Sequence, residues 1–264
     1  MSGVEELRER IDGLQVRRWR SHEPARARVL WIHGAGEHGG RHAAEAARLA
    51  RRGAEIWLPD LPGHGESGGG VGSPESLRAA LERVLAVAGS GPAFDLIGHS
   101  LGGLLAIGLA RETRVLLRRC VLSAPFLAPA HPLPRWKELG GRLAARCWPK
   151  LRFALGLRAE DLLRDPAEQE LWAADPLRRE WIAARSGAAL LDEAARRAAE
   201  REPFPRPCLV LLAAEDRVAS SPVARSWAER CGAEVAEFAG LRHELLREPE
   251  RAVVRMAIDR FLAL

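Results

Sequence analysis

Tyrosine is absent from the 264 residues, lysine occurs only at Lys137 and Lys150, and methionine only twice. Without tyrosine, no phenolic hydroxyl can serve a site. No apolar run approaches the roughly 18 residues of a membrane-spanning helix. Met1 to Arg10 interleaves Glu and Arg, which makes neither the apolar centre of a signal peptide nor a span. These absences predict a soluble, cytoplasmic protein. Cysteine is sparse as well: Cys120, Cys147, Cys208 and Cys231 stand without metal-ligand or redox-pair spacing, so neither disulfides nor a metal site is expected. Lysine's scarcity leaves the net charge of +5 almost wholly to arginines spread through every segment. A nucleic-acid binder concentrates basic charge on one face and offers stacking aromatics, so nucleic acid is not expected as a partner. Nothing in the sequence sets the number of subunits.

What is present is a core-former's composition, 47% hydrophobic, over a length that suits one domain with an insertion. Short apolar runs alternate with amphipathic stretches, the pattern of a mostly parallel sheet with helices on both faces. Leu14 to Trp19, Val29 to Ile32, Ile56 to Leu58, Phe94 to Ile97, Leu209 to Leu212 and Val235 to Phe238 read as strands. Arg41 to Arg52, the segment after Ser73-Pro74, Pro222 to Cys231 and Pro249 to Leu262 read as helices. Residues 126–205 break the alternation: prolines cluster, Trp136, Trp148, Trp172 and Trp181 appear, and helical segments such as Trp136 to Cys147 take over. The expected organisation is an α/β core from 1–125 and 206–264, with 126–205 inserted as a helical cap after Ser123-Ala124-Pro125.

The strongest chemical signal is Gly98-His99-Ser100-Leu101-Gly102-Gly103, set between the run Phe94 to Ile97 and a helix-like Leu104 to Ala110. A serine on a sharp strand-to-helix turn needs small neighbours, and Gly98 and Gly102 give that room. A serine hydroxyl attacks near neutral pH only when a base removes its proton, and the chain order of this arrangement is Ser, then Asp or Glu, then His. Of the eight histidines, only His243 follows the last strands. Asp216 follows the strand Leu209 to Leu212, with Glu215 as its competitor. Acids in the insertion, Asp161, Asp165, Asp175 and Asp192, are better explained by helix ends and salt bridges. Backbone N–H groups of Leu101 and Ala35 are the candidates for an oxyanion hole. His33 and His99 suit bracing of their turns. An imidazole base of ordinary pKa predicts activity that falls below about pH 6–7.

These motifs make the chain resemble the monoacylglycerol lipase and lysophospholipase branch of the α/β-hydrolase fold, within the wider serine aminopeptidase grouping. The matches are His33-Gly34-Ala35-Gly36-Glu37-His38 with Arg41, Asp60 with Gly63-His64-Gly65-Glu66-Ser67, Gly98 to Gly103, Ser123-Ala124-Pro125, Asp216-Arg217-Val218 and Gly240 to His243. The resemblance implies a lid made by the insertion, an apolar acyl tunnel beneath it, and ester hydrolysis without a cofactor. Glu37, Arg41 and His99 become candidate substrate-binding residues, with an ion pair bracing the loop as the alternative for Glu37 and Arg41. Ala213 stands where many relatives place Gly, and Leu246 where some carry a second His. These departures, with the missing tyrosine, bear on glycerol recognition.

The expected activity is hydrolysis of a small-molecule acyl ester, a monoacylglycerol or lysophospholipid, through an acyl-enzyme on Ser100. Rival readings are a generic carboxylesterase, a thioesterase or a small-peptide aminopeptidase on the same three residues, or a non-catalytic binding module. Transient contact of the cap with lipid surfaces is a further reading, set against a lid that packs its apolar faces on the core.

Overall fold

The computed structural model describes residues 3–89 and 91–264. Asp12 and Gly13, at φ 48° and 82°, turn the chain back between β1 (Val4–Ile11) and β2 (Leu14–Ser21). Ile11 then faces Leu14 directly, the geometry of a two-residue hairpin whose central residues both take positive φ. The sequence left β1 undecided because its Glu and Arg residues hide any alternation. It is the outermost strand, and charge on an edge strand discourages pairing with other chains.

β3 (Ala27–Ile32), α1 (Ala43–Arg51), β4 (Ala54–Pro59), α2 (Pro74–Val87), β5 (Phe94–His99), α3 (Leu101–Glu112) and β6 (Leu117–Ser123) follow. Residues 126–205 then supply α4 (Arg135–Cys147), β7 (Arg152–Ala154), α5 (Ala159–Leu162), α6 (Pro166–Ala173), β8 (Trp181–Ala183) and α7 (Ala184–Ala198). β9 (Cys208–Ala213), α8 (Ser221–Cys231), β10 (Glu234–Phe238) and α9 (Arg251–Leu262) close the chain. The eight-stranded sheet runs β1-β2-β4-β3-β5-β6-β9-β10; only β1–β2 and β2–β4 pair antiparallel. Every residue of β3, β4, β5 and β9 is buried, as strands covered by helices on both faces must be.

One face of the sheet packs Leu77, Leu81, Leu104 and Trp227, so α2, α3 and α8 lie there. The other packs Leu49, Val254 and Ile258, which places α1 and α9. Helix starts follow local chemistry: Ser73 and Ser220 accept from the N–H of Ser76 and Val223, each with proline in the first turn. The expected helix from Arg41 begins two residues later, because Gly39–His42 forms a 3₁₀ turn first.

The insertion holds more than helices. β7 and β8 make a two-stranded antiparallel ribbon, and Trp181 on it lies 3.8 Å from the guanidinium carbons of both Arg152 and Arg179. α7 sits on the core, with Leu190 and Ala194 in the main apolar cluster. α4 does the opposite: Trp136 is 72% and Leu139 71% exposed. Among the described residues no helix is long and apolar enough to cross a membrane.

Candidate active site

Ser100 stands between β5 and α3 at φ 51°, ψ −113°, a conformation that a residue with a side chain adopts only under strain. The surroundings enforce it. A Cβ on Gly98 would lie 2.4 Å from the Gly102 carbonyl oxygen, and one on Gly102 would lie 2.0 Å from that of Ile32. Ser100 N–H donates to Ser123 O at 3.0 Å, and Phe126 N–H donates to Ser100 O at 3.0 Å, fixing both ends of the peptide. The turn lifts the hydroxyl at the carboxyl end of the central strand.

Asp216 follows β9 and His243 follows β10, 27 positions apart in sequence. Adjacent parallel strands bring them together: His243 Nδ1–H donates to Asp216 Oδ2 at 2.8 Å. Asp216 Oδ1 accepts from the N–H of Val218 and Ala219, each at 2.8 Å, so the carboxylate is aimed by backbone on one oxygen and reads the ring with the other. Both side chains are almost fully buried. With Nδ1 committed, Nε2 is the nitrogen left for a serine hydroxyl. Among the described residues Ser100 Oγ holds no hydrogen bond, so the final contact is open; such contacts often tighten only when substrate is bound. Glu215 is exposed, and its N–H donates to Leu241 O.

Electrostatics separate the histidines. Burial disfavours charge on His243, but Asp216 by charge and hydrogen bond, helped by Glu244 and Glu37, outweighs burial and raises its pKa above the ordinary imidazole value. Burial also favours the neutral acid of Asp216, yet His243 and the two backbone N–H groups hold it below the usual carboxylate range. Burial dominates at His99 and His64, pushing each down to about 3, and it lowers His33 as well. Of the rings close to Ser100, His243 is therefore the one suited to take and return a proton near neutrality.

The loop after β3 closes the other side. His33 Nε2 accepts from Leu61 N–H at 2.9 Å, which leaves Nδ1–H to donate to Gly34 O at 2.7 Å; the ring is a brace, as its sequence context suggested. A Cβ on Gly34 would meet Ser100 Cβ at 3.2 Å, so this loop lies against the nucleophile. Gly34 N–H is taken by Glu37 Oε1, whereas Ala35 N–H has no acceptor among the described residues. Leu101 opens α3, and a first-turn N–H has no intrahelical acceptor.

Glu37, Arg41 and His99 are buried and point inward. Arg41 Nη2 forks onto Glu244 at 2.7 and 3.1 Å, and its Nε lies 3.5 Å from Glu37 Oε2. His99 Nδ1 lies 3.2 Å from Ser123 O. The geometry thus favours the bracing alternative for all three over direct contact with substrate. The sequence reading missed two partners, Glu244 and Arg179, and gave Asp175 only a helix end or a salt bridge without its partner. Glu244 adjoins His243, so its position was the one available hint. Asp175, from the segment between α6 and β8, meets His38 Nε2 at 3.0 Å across 137 positions, and Arg179 N–H donates to Gly36 O at 2.8 Å. No local pattern marks such contacts between cap and core.

A strained serine between strand and helix, on a mostly parallel eight-stranded sheet with acid and base on following strand ends, defines an α/β-hydrolase. The chain belongs to the serine aminopeptidase, S33 family, whose model matches residues 23–250. It is similar to phospholipase YtpA of Bacillus subtilis, 27% identical over 92% of this chain and 97% of that protein. Its fold superposes on the crystal structure of Paleococcus ferrophilus monoacylglycerol lipase with a TM-score of 0.87, at 29% identity, covering 94% of this chain and 98% of that one. A soluble variant of monoglyceride lipase from Saccharomyces cerevisiae gives 0.83 over 100% and 97%, at 19% identity, a likeness of fold alone.

Proposed function

We propose that the chain hydrolyses carboxylic esters with a medium or long acyl chain, a monoacylglycerol or lysophospholipid, through an acyl-enzyme on Ser100. The observation that carries this reading is the His243–Asp216 hydrogen bond of 2.8 Å at the sheet end where Ser100 is held at positive φ. The names of the relatives, a phospholipase and a monoacylglycerol lipase, put the chain among carboxylic ester hydrolases.

Ser100 Oγ attacks the ester carbonyl while its proton passes to His243 Nε2, and Asp216 stabilises the imidazolium. The carbonyl oxygen becomes an oxyanion held by the N–H groups of Leu101 and Ala35. When the intermediate collapses, the C–O bond to the alcohol breaks and His243 returns the proton to the leaving oxygen. Water, deprotonated by His243, then releases the carboxylic acid and frees Ser100.

Contact of the cap with lipid surfaces is a second reading, favoured by α4. Trp136, Leu139 and Leu143 are exposed there, Lys137 Nζ lies 5.4 Å from the Trp136 ring, and the chain's other lysine, Lys150, is exposed just past the end of the helix. An apolar stripe with basic neighbours suits the boundary between lipid headgroups and acyl chains.

The purified protein should be assayed on monoacylglycerols, lysophosphatidylcholine, p-nitrophenyl esters of graded chain length and amino-acid p-nitroanilides. The expected result is a rate that rises beyond short chains and negligible amide cleavage. Preference for amides with a free amine would move the assignment to a peptidase.

A further inference from the structure

The second buried carboxylate near Ser100 is not used by the mechanism just given. We propose that Glu37 is a positioning residue of this hydrolysis: it ties back Gly34 N–H so that the loop offers Ala35 N–H to the oxyanion, and its negative charge supports the imidazolium on His243. The inference rests on the acyl-enzyme reading.

Geometry separates Glu37 from any direct contact with substrate. Its side chain is 6% exposed, and Oε1 is occupied by Gly34 N–H. A Cβ on Gly34 would lie 2.7 Å from that oxygen, 3.2 Å from His99 Cδ2 and 3.2 Å from Ser100 Cβ. The carboxylate is therefore packed against Gly34, which faces both the nucleophile and the His99 ring. Taking Gly34 N–H out of play leaves the next amide, Ala35, as the free donor of the loop.

The charge argument follows from counting what faces what. Glu37 Oε2 lies 3.3 Å from His42 Nε2 and Oε1 3.9 Å from His99 Nε2. His99 packs against His243 with ring centroids 4.9 Å apart and the rings tilted by 52°, and burial holds His99 neutral near pH 7, so it does not cancel the field reaching His243. Arg41 is the cation nearest Glu37, and it is shared: Glu244 lies at 2.7 Å, Glu37 at 3.5 Å and Asp175 at 3.7 Å. Arg247 reaches Glu244 at 3.4 Å and Glu168 at 2.6 Å. Two guanidiniums thus face four carboxylates, with His38 on Asp175 and neutral His33 on the far side of the loop. Glu37 raises the His243 pKa through space, as a negative charge in a dry site stabilises a ring that must become positive during the reaction. Burial alone would neutralise Glu37, but His42, by charge and hydrogen bond, and Arg41 hold its carboxyl well below the usual range.

Glu37→Gln and Glu37→Ala separate tether from charge. Glu37→Gln keeps an oxygen for Gly34 N–H and removes the charge. On p-nitrophenyl butyrate it should keep KM within about twofold, lose about tenfold in kcat, and move the acid limb of kcat/KM to lower pH. Glu37→Ala, which also frees Gly34 N–H, should lose about a hundredfold; if it fails to fold, Glu37→Gln decides alone. A fluorophosphonate probe on the unaltered protein runs alongside. With Ser100 labelled, an acid limb that stays in place, or a loss carried by KM alone, overturns the role of Glu37. An unlabelled Ser100 overturns the acyl-enzyme reading itself, and this inference with it.

Discussion

Two regions of the molecule are built on opposite plans. At the carboxyl ends of the strands the side chains of Ser100, Asp216 and His33 are buried and held by backbone: Ser100 by two peptide hydrogen bonds, Asp216 by two N–H groups, His33 by Leu61 and Gly34. In the cap, α4 leaves Trp136, Leu139 and Leu143 in solvent and its Arg142 pairs with Glu138 and Asp192 at the surface, where ion pairs contribute only about 0–1 kcal/mol. Chemistry needs atoms fixed before the substrate arrives, whereas an exposed helix face is under no such demand.

The comparison breaks first at the core. Ser100→Ala and His243→Ala should each lose roughly three to six orders of magnitude in turnover while remaining folded, because the three residues act as a unit. Near-native esterase activity in either purified variant would remove the nucleophile or the base from these positions.

A smaller but still large effect separates two neighbours. Asp216→Asn should be folded and slowed by orders of magnitude, less than loss of serine or histidine, since the acid orients and stabilises the ring without reacting. Glu215→Gln should be nearly harmless, its side chain being exposed. Rates on one short-chain ester, measured side by side, check this; the reverse ranking would move the acid to Glu215.

The pH profile comes next. His243 must be neutral to accept the serine proton, and its pKa is raised, so the ring stays protonated to a higher pH than a free imidazole. The acid limb of kcat/KM should accordingly have its midpoint above about 6.5, the ordinary value. A midpoint below 6 under substrate-limited conditions would contradict the buried pairing with Asp216.

The mildest effect belongs to the cap. Trp136→Ser with Leu139→Ser should leave the rate on a soluble short-chain ester within about twofold, because exposed side chains contribute little to the fold. The same protein should lose flotation with phospholipid vesicles and activity on vesicle-borne monoacylglycerol. Equal flotation of variant and parent would end the lipid-surface reading.

How much of this was legible varies by element. The strained turn at Ser100 and the pairing of His243 with Asp216 could be anticipated because each residue sits at a strand end with a fixed order along the chain. β1 could not, since its charged residues carry no period-2 pattern, and the β7–β8 ribbon could not, being three residues a side. The exposure of α4 and the seating of α7 were equally hidden. Both helices are amphipathic, and periodicity reports that a face exists without saying what covers it.

By itself, then, the sequence determined the parallel core, the strained serine turn and the placement of Asp216 and His243, because these depend on neighbours a few residues away and on strand order. Only the tertiary structure decided that Glu37 faces Gly34, His42 and His99, that Arg41 joins Glu244 across 203 positions, and that Asp175 meets His38. Charge pairs of that kind are set by how the cap and loops come to rest on the core, and spacing along the chain carries no trace of it.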